Sequence, residues 1–156
     1  WHLNNLGNYT KLSAKEPGSI KLGATDIGPW STGYGMMGMP GDFSSPSRFV
    51  RAFFMKENAP ADRTTEQQVG TAFHFLNNFD IPPGSISLAS GGFGGGGGGY
   101  EITYWVSVSD LKNKIFYLRT HGNPSVQMID MSKMDMDAKE ITYIDFQTEW
   151  NLKPLN

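Results

Sequence analysis

An α+β fold is predicted, with helices first and an antiparallel sheet after them, and three observations predict it. An apolar stripe at three- and four-residue spacing runs through Phe49, Val50, Phe53 and Phe54. A second helical face, Val69, Ala72, Phe73, Leu76 and Phe79, comes after a capping-box signal. The pattern then changes to β-rich runs around a polar turn, from Glu101 to Val108 and from Ile115 to Thr120. Helices segregated from an antiparallel sheet make a layered domain in which another layer covers the sheet's second face.

At the start of the chain, Leu3, Leu6 and Tyr9 stand at near-helical spacing, so a short helix is expected over Trp1–Tyr9, weakened by Gly7. Seven glycines and three prolines between Ala14 and Gly41 disfavour long regular elements and predict a shaped loop. Ser45 is placed to cap a helix whose first residue is Pro46, where the missing N–H costs nothing. That helix sets Arg48 and Arg51 along one flank. Thr64 and Gln67 form a T-x-x-Q box opening the strongest helix, whose face continues until Pro82-Pro83-Gly84 stops it.

The glycine-rich residues 91–99 have almost no side chains to fix them and read as a flexible exposed connection. A phosphate cradle needs a strand before it and a helix after it, whereas the residues after Tyr100 are strand-like. A hairpin over 101–120 is expected to gain a third strand at Val126–Asp130 and a fourth at Ile141–Phe146.

Composition narrows the function classes. Of 156 residues, 38 % are hydrophobic, 13 % aromatic and 18 % charged, which favours an aromatic-rich packed core over a disordered chain. The net charge of −2, with scattered Lys and Arg, provides no basic stripe, so a nucleic-acid partner is not expected. No apolar run approaches the roughly 20 residues of a spanning helix, so a membrane role is not expected either. The chain contains no cysteine, which leaves no thiolate nucleophile, disulfide or zinc-thiolate site within it. His2, His74 and His121 are widely spaced, and Asp130, Asp135, Asp137 and Glu140 do not match a calcium loop. Neither a metal nor a cofactor is expected.

The segment Gly35-Met-Met-Gly-Met-Pro-Gly-Asp-Phe-Ser-Ser-Pro-Ser-Arg-Phe-Val-Arg51-Ala resembles the G-x-x-G-[LM]-P-G-D-x-[ST]-S-x-S-R-F-V-R-A stretch of choloylglycine hydrolases and penicillin V acylases. Trp1-His-Leu-Asn-Asn-Leu-Gly-Asn-Tyr9 resembles that family's W-H-x-x-N-L-R-N-Y, with Gly7 in place of arginine, and Ser107–Tyr117 its strand-turn-strand. The resemblance implies part of a four-layer αββα N-terminal-nucleophile hydrolase sandwich, with residues 1–156 as the C-terminal part of one amide hydrolase domain. It also implies a homo-oligomer and a small-molecule amide substrate, in a bacterial cytoplasm or periplasm.

In that family an N-terminal cysteine attacks the amide and its own α-amine serves as the base. A guanidinium beside the thiol favours the thiolate, and the resemblance gives that role to Arg51. Arg48 is expected to bridge the helix to the Asp42 loop. Read without the resemblance, Arg51 is a surface arginine pairing with Asp42 or Glu57. Met36 and Met37 are candidates for an apolar substrate wall, with gap-filling as the equal alternative. The cysteine itself is expected in a missing N-terminal half that precedes Trp1, so this chain alone is expected to be inert. The alternative is a binding or structural module that keeps the scaffold without chemistry.

Overall fold

The computed structural model describes residues 1–88, 99–152 and 154. It comprises two compact units, Trp1–Asp62 and Arg63–Asn156. Together they realise the α+β class.

In the first unit, α1 (His2–Asn5) tightens into a 3-10 turn over Leu6–Tyr9. The expected helix is therefore present but changes pitch near Gly7, where helix propensity is lowest. The glycine-rich stretch contains a hairpin that was not expected, with β1 (Ile20–Leu22) pairing antiparallel to β2 (Thr25–Ile27). Gly23, at φ 60°, supplies the positive dihedral that its two-residue turn requires.

The helix α2 (Ser45–Glu57) starts one residue earlier than expected. Ser44, not Ser45, is the N-cap, at φ −65° and ψ 152°, and its carbonyl accepts the first helical bond from Arg48 N at 3.0 Å. Pro46 then occupies the second helical position, where an N–H is equally dispensable. The stripe packs as expected: Val50 is fully buried, and the Phe49 and Phe53 rings stack at 6.4 Å. His2 of α1 stacks on Phe49 at 4.9 Å, which docks the opening helix on α2.

In the second unit, α3 (Thr65–Asn77) has the full reciprocal capping box of Thr64 and Gln67. It ends at Asn77, before the prolines. Phe73 is buried, and the Arg119 guanidinium lies 6.0 Å from its ring centroid while pairing with Asp80 at 2.6 Å. A short pair joins β3 (Ser87–Leu88) to β4 (Gly99–Tyr100). Of the expected glycine-rich connection, 91–98 lie outside the described residues, and Gly99 belongs to β4.

The main sheet has β5 (Trp105–Asp110), β6 (Ile115–Thr120) and β7 (Gln127–Asp130) in sequential antiparallel order. Its hairpin turn is fixed by Asp110, which accepts from Asn113 N at 3.0 Å and Asn113 Nδ2 at 2.7 Å. Along β5, Trp105, Ser107 and Ser109 are exposed while Val106 and Val108 are half-buried, the period-2 alternation of a one-sided strand.

Two expectations are corrected. The first hairpin strand starts at Trp105, because Glu101 N and Thr103 N bond instead to Ile86 O and Ile81 O, at 3.0 and 3.4 Å. Ile141–Phe146 forms no strand: its backbone has no ladder partner among the described residues, and Ile141 and Tyr143 are 79 % and 86 % exposed. Beyond it, Gln147 is held by the Gln127 side chain at 2.7 and 2.8 Å and by Asn123 Nδ2 at 3.1 Å.

Candidate functional site

The site lies in the first unit, where the Gly35–Asp42 loop enters α2. Asp42 and Ser44 form an Asx turn, with Ser44 N donating to Asp42 Oδ1 at 2.9 Å. Ser47, buried one turn into the helix, donates its hydroxyl to Asp42 Oδ2 at 2.5 Å and accepts from Ser44 Oγ at 3.1 Å. The D-x-S-x-x-S spacing therefore closes a polar ring over the helix N-terminus, where negative charge is favoured. The Ser44 hydroxyl, then the Ser47 hydroxyl and the Ser44 amide, hold the Asp42 carboxyl down to about 2.

Arg51 is 5 % exposed. Its Nη1 donates to the carbonyls of Pro40 at 2.7 Å and Asp42 at 2.8 Å, so the guanidinium spans the loop from beneath. Arg51 is thus neither a surface residue nor the carboxylate partner of Asp42 or Glu57. Glu57 pairs with Lys56 instead. The expected bridge from Arg48 to the Asp42 loop is made by Ser47 and Arg51. Arg48 is half-buried, and its side chain makes no hydrogen bond or ion pair among the described residues.

Met36 and Met37 come together upstream in the same loop. Met36 has φ 60°, and its N–H bonds to Ser13 O at 2.6 Å. Gly35 is required beside it, since a Cβ there would stand 2.8 Å from Ala14 O. Both methionines line a cleft of about 480 Å³ together with Lys11, Lys15, Glu16 and Tyr34, and Met37 is 67 % exposed. Arg51 does not line this cleft.

Glu16 is a site residue that the sequence did not single out: its two carboxylate oxygens accept from Gly33 N at 2.6 Å and Tyr34 N at 3.0 Å. A contact spanning 17 residues has no local signal. The Asx turn at Asp42 did have one, in the D-x-S spacing. No cluster of three or more His, Cys, Asp or Glu suited to a metal occurs among the described residues, and none of their helices is long and apolar enough to cross a membrane.

Residues 1–144 match the model of the linear amide C–N hydrolases, choloylglycine hydrolase family. A bile salt hydrolase/transferase of Bifidobacterium longum is 32 % identical over 141 residues, covering 90 % of this chain and 42 % of that protein. One of the same description from Lactiplantibacillus plantarum is 32 % identical over 149 residues, covering 96 % and 44 %. The structure of a cysteine-to-alanine variant of the conjugated bile acid hydrolase from Clostridium perfringens superposes with a TM-score of 0.81 at 28 % identity, over 100 % of this chain and 45 % of that one. The chain therefore spans less than half the length of these relatives. Within that span, motif, fold and family model agree, and the chain belongs to the choloylglycine hydrolase family of linear amide C–N hydrolases.

Proposed function

We propose that the protein carrying this chain hydrolyses a linear amide between an acyl or steroid acid and a small amine. Conjugated bile salts are the first class to test, then penicillin V and acyl-homoserine lactones. The family match over residues 1–144 is the observation that carries this reading, and the bile salt hydrolases among the relatives set the order of substrates. The nucleophile in this proposal is a cysteine outside these 156 residues, acting with its own α-amine as base. The test is amine release from each substrate by the intact protein and by the 156-residue chain alone. Turnover by the first only is expected. Turnover by the chain alone would overturn the placement of the nucleophile, and no turnover by an intact protein that has the cysteine would favour a non-catalytic module.

The guanidinium beside the thiolate is assigned to Arg51 by the family pattern. A specific observation favours a second reading: Nη1 of Arg51 is committed to two backbone carbonyls, whereas Arg48, one helical turn earlier, is half-buried and its side chain makes no hydrogen bond or ion pair among the described residues. In that reading Arg51 is a positioning residue and Arg48 faces the thiol. The pH dependence of cysteine alkylation in R48Q and R51Q enzymes separates the two, because only loss of the facing cation raises the thiol pKa.

Met36 and Met37 are proposed to contact the acyl part of the substrate, so M36S and M37S should raise KM more than they lower kcat. Homo-oligomerisation is proposed as well. The β1–β2 hairpin leaves Ile20, Leu22 and Ile27 on one face, 57 %, 58 % and 47 % exposed, and an isolated two-stranded hairpin is marginally stable in water. Light scattering on an I20S/L22S variant would show a smaller particle if that face is an interface between copies.

A further inference from the structure

The backbone that carries Met36 and Met37 is laid residue by residue against an earlier part of the chain, and the attachments run antiparallel. Glu16 takes the amides of Gly33 and Tyr34, one on each carboxylate oxygen, at 2.6 and 3.0 Å. Gly35 passes so close to Ala14 that a Cβ would stand 2.8 Å from its carbonyl oxygen. Met36 N donates to Ser13 O at 2.6 Å. Ser13–Glu16 is thus a rail for Gly33–Met36, although neither segment is a strand. At the last position of the rail a side chain does what a backbone carbonyl does in a ladder, and it closes the excursion of residues 17–32 at its base.

That last attachment calls for a carboxylate. Gly33 has φ 103°, and successive N–H groups turned to one side in this way favour an anion. Glutamate offers an oxygen to each donor. Glutamine has the same shape but one oxygen, so its NH2 group would face one of the two N–H groups. Met36 follows in the left-handed region at φ 60°, which a methionine keeps only where its surroundings enforce it. Met37 N donates to Tyr34 O at 3.3 Å and Met39 N to Met36 O at 3.0 Å, two turns that carry the chain to Pro40. There Nη1 of Arg51 binds the Pro40 and Asp42 carbonyls. The stretch with Met36 and Met37 is therefore pinned through its amides by a carboxylate at one end and through its carbonyls by a guanidinium at the other.

We propose that Glu16 is a positioning residue for acyl selectivity: its carboxylate fixes the Gly33–Tyr34 backbone and, through it, the placement of Met36 and Met37. The proposal rests on the reading that these two methionines contact the acyl part of the substrate. Glu16 touches no substrate in this scheme and acts only through the backbone it holds.

The test compares E16Q, M36S, M37S and E57Q in the protein carrying this chain. Amide exchange, read without substrate, should rise at least roughly fivefold at Gly33, Tyr34 and Met36 in E16Q, as expected for losing a charge-assisted bond. Turnover is read on two substrates that share a glycine amine and differ in the acyl part, a glycine-conjugated bile salt and hexanoylglycine. For the bile salt, E16Q should raise KM at least roughly threefold with kcat within about twofold, the pattern of lost binding rather than lost chemistry. For hexanoylglycine, KM should change less. E57Q removes a negative charge that pairs with Lys56 and should behave as the parent does on both substrates. Parental exchange at Gly33 and Tyr34 in E16Q would overturn the clasp whatever the activity of the protein. Parental KM in E16Q, with KM raised in M36S and M37S, would overturn the role of Glu16 and leave the methionine wall standing. Parental KM in all three would overturn the wall itself.

Discussion

The Pro40–Ser47 turn and the Ile141–Phe146 segment are both irregular backbone beside a regular element, and they are secured in opposite ways. The first is crossed by a buried guanidinium that binds two of its carbonyls and by a carboxylate that gathers two serines. The second carries apolar side chains in a strand-like sequence, yet it is exposed, and beside it Gln147 is held by hydrogen bonds to Gln127 and Asn123. Side chains aimed at backbone can therefore fix a loop more firmly than β-propensity fixes a strand, because a strand needs a neighbour with a free edge.

Three substitutions sharpen that contrast, the largest effect first. Phe73→Ala removes the apolar anchor between α3 and the sheet, where the ring is 8 % exposed under Arg119. A loss of about 4 kcal/mol is expected from the typical cost of emptying a buried phenylalanine site, read from urea unfolding; a loss below about 1 kcal/mol would show that α3 is not held there. Arg51→Met takes the Nη1 donor from two carbonyls while keeping apolar volume. Charge-assisted bonds contribute about 1.5 kcal/mol or more each, so about 3 kcal/mol should be lost, with faster amide exchange across residues 40–48. Unchanged exchange there would remove Arg51 from the role of loop clamp.

Gln127→Ala tests the weaker attachment. Its side chain donates to Gln147 O at 2.8 Å and accepts from Gln147 N at 2.7 Å. At about 1 kcal/mol net for an exposed pair of bonds, exchange at the Gln147 amide should rise roughly fivefold while the β5–β6 ladder is unaffected. Accelerated exchange throughout the ladder would instead mean that residues 141–147 contribute to the sheet.

These differences reflect what a sequence can express. The helices were legible because their signals are local: the stripe at Phe49, Val50 and Phe53 and the Thr64–Gln67 box each need only a few neighbouring residues. The Ser107–Tyr117 hairpin was legible for the same reason, through its Asp110–Asn113 turn. Whether Ile141–Phe146 pairs depends on a distant edge, which alternation does not encode, and the start of β5 was displaced by bonds back to Ile81 and Ile86. Within the site, the motif located Arg51 and the Asp42 turn without showing that the guanidinium points at Pro40 and Asp42. Glu16, 17 residues from Gly33, left no trace in the pattern around either.

The smallest effect isolates the charge of the same turn. Asp42 titrates at about 2 in the folded chain against an ordinary 3.8, because the Ser44 and Ser47 hydroxyls and the Ser44 amide favour the ionised form. A depressed carboxyl pKa means that the unfolded chain binds the proton more tightly. The contribution of Asp42 is therefore fully present above 3.8 and is lost as pH falls through about 2. The folded protein's Asp42 carboxyl carbon should accordingly show an NMR titration midpoint near 2, and S47A should move that midpoint upward toward 3.8. Asp42→Asn keeps an oxygen for the Ser44 amide but has no charge to lose. Its stability deficit relative to the parent should narrow as pH is lowered from about 4 toward 2. A midpoint at 3.8, or a deficit independent of pH, would mean that the serine ring does not hold the carboxylate. The turn would then rest on Arg51 alone, which makes the acid titration the finer half of the same comparison.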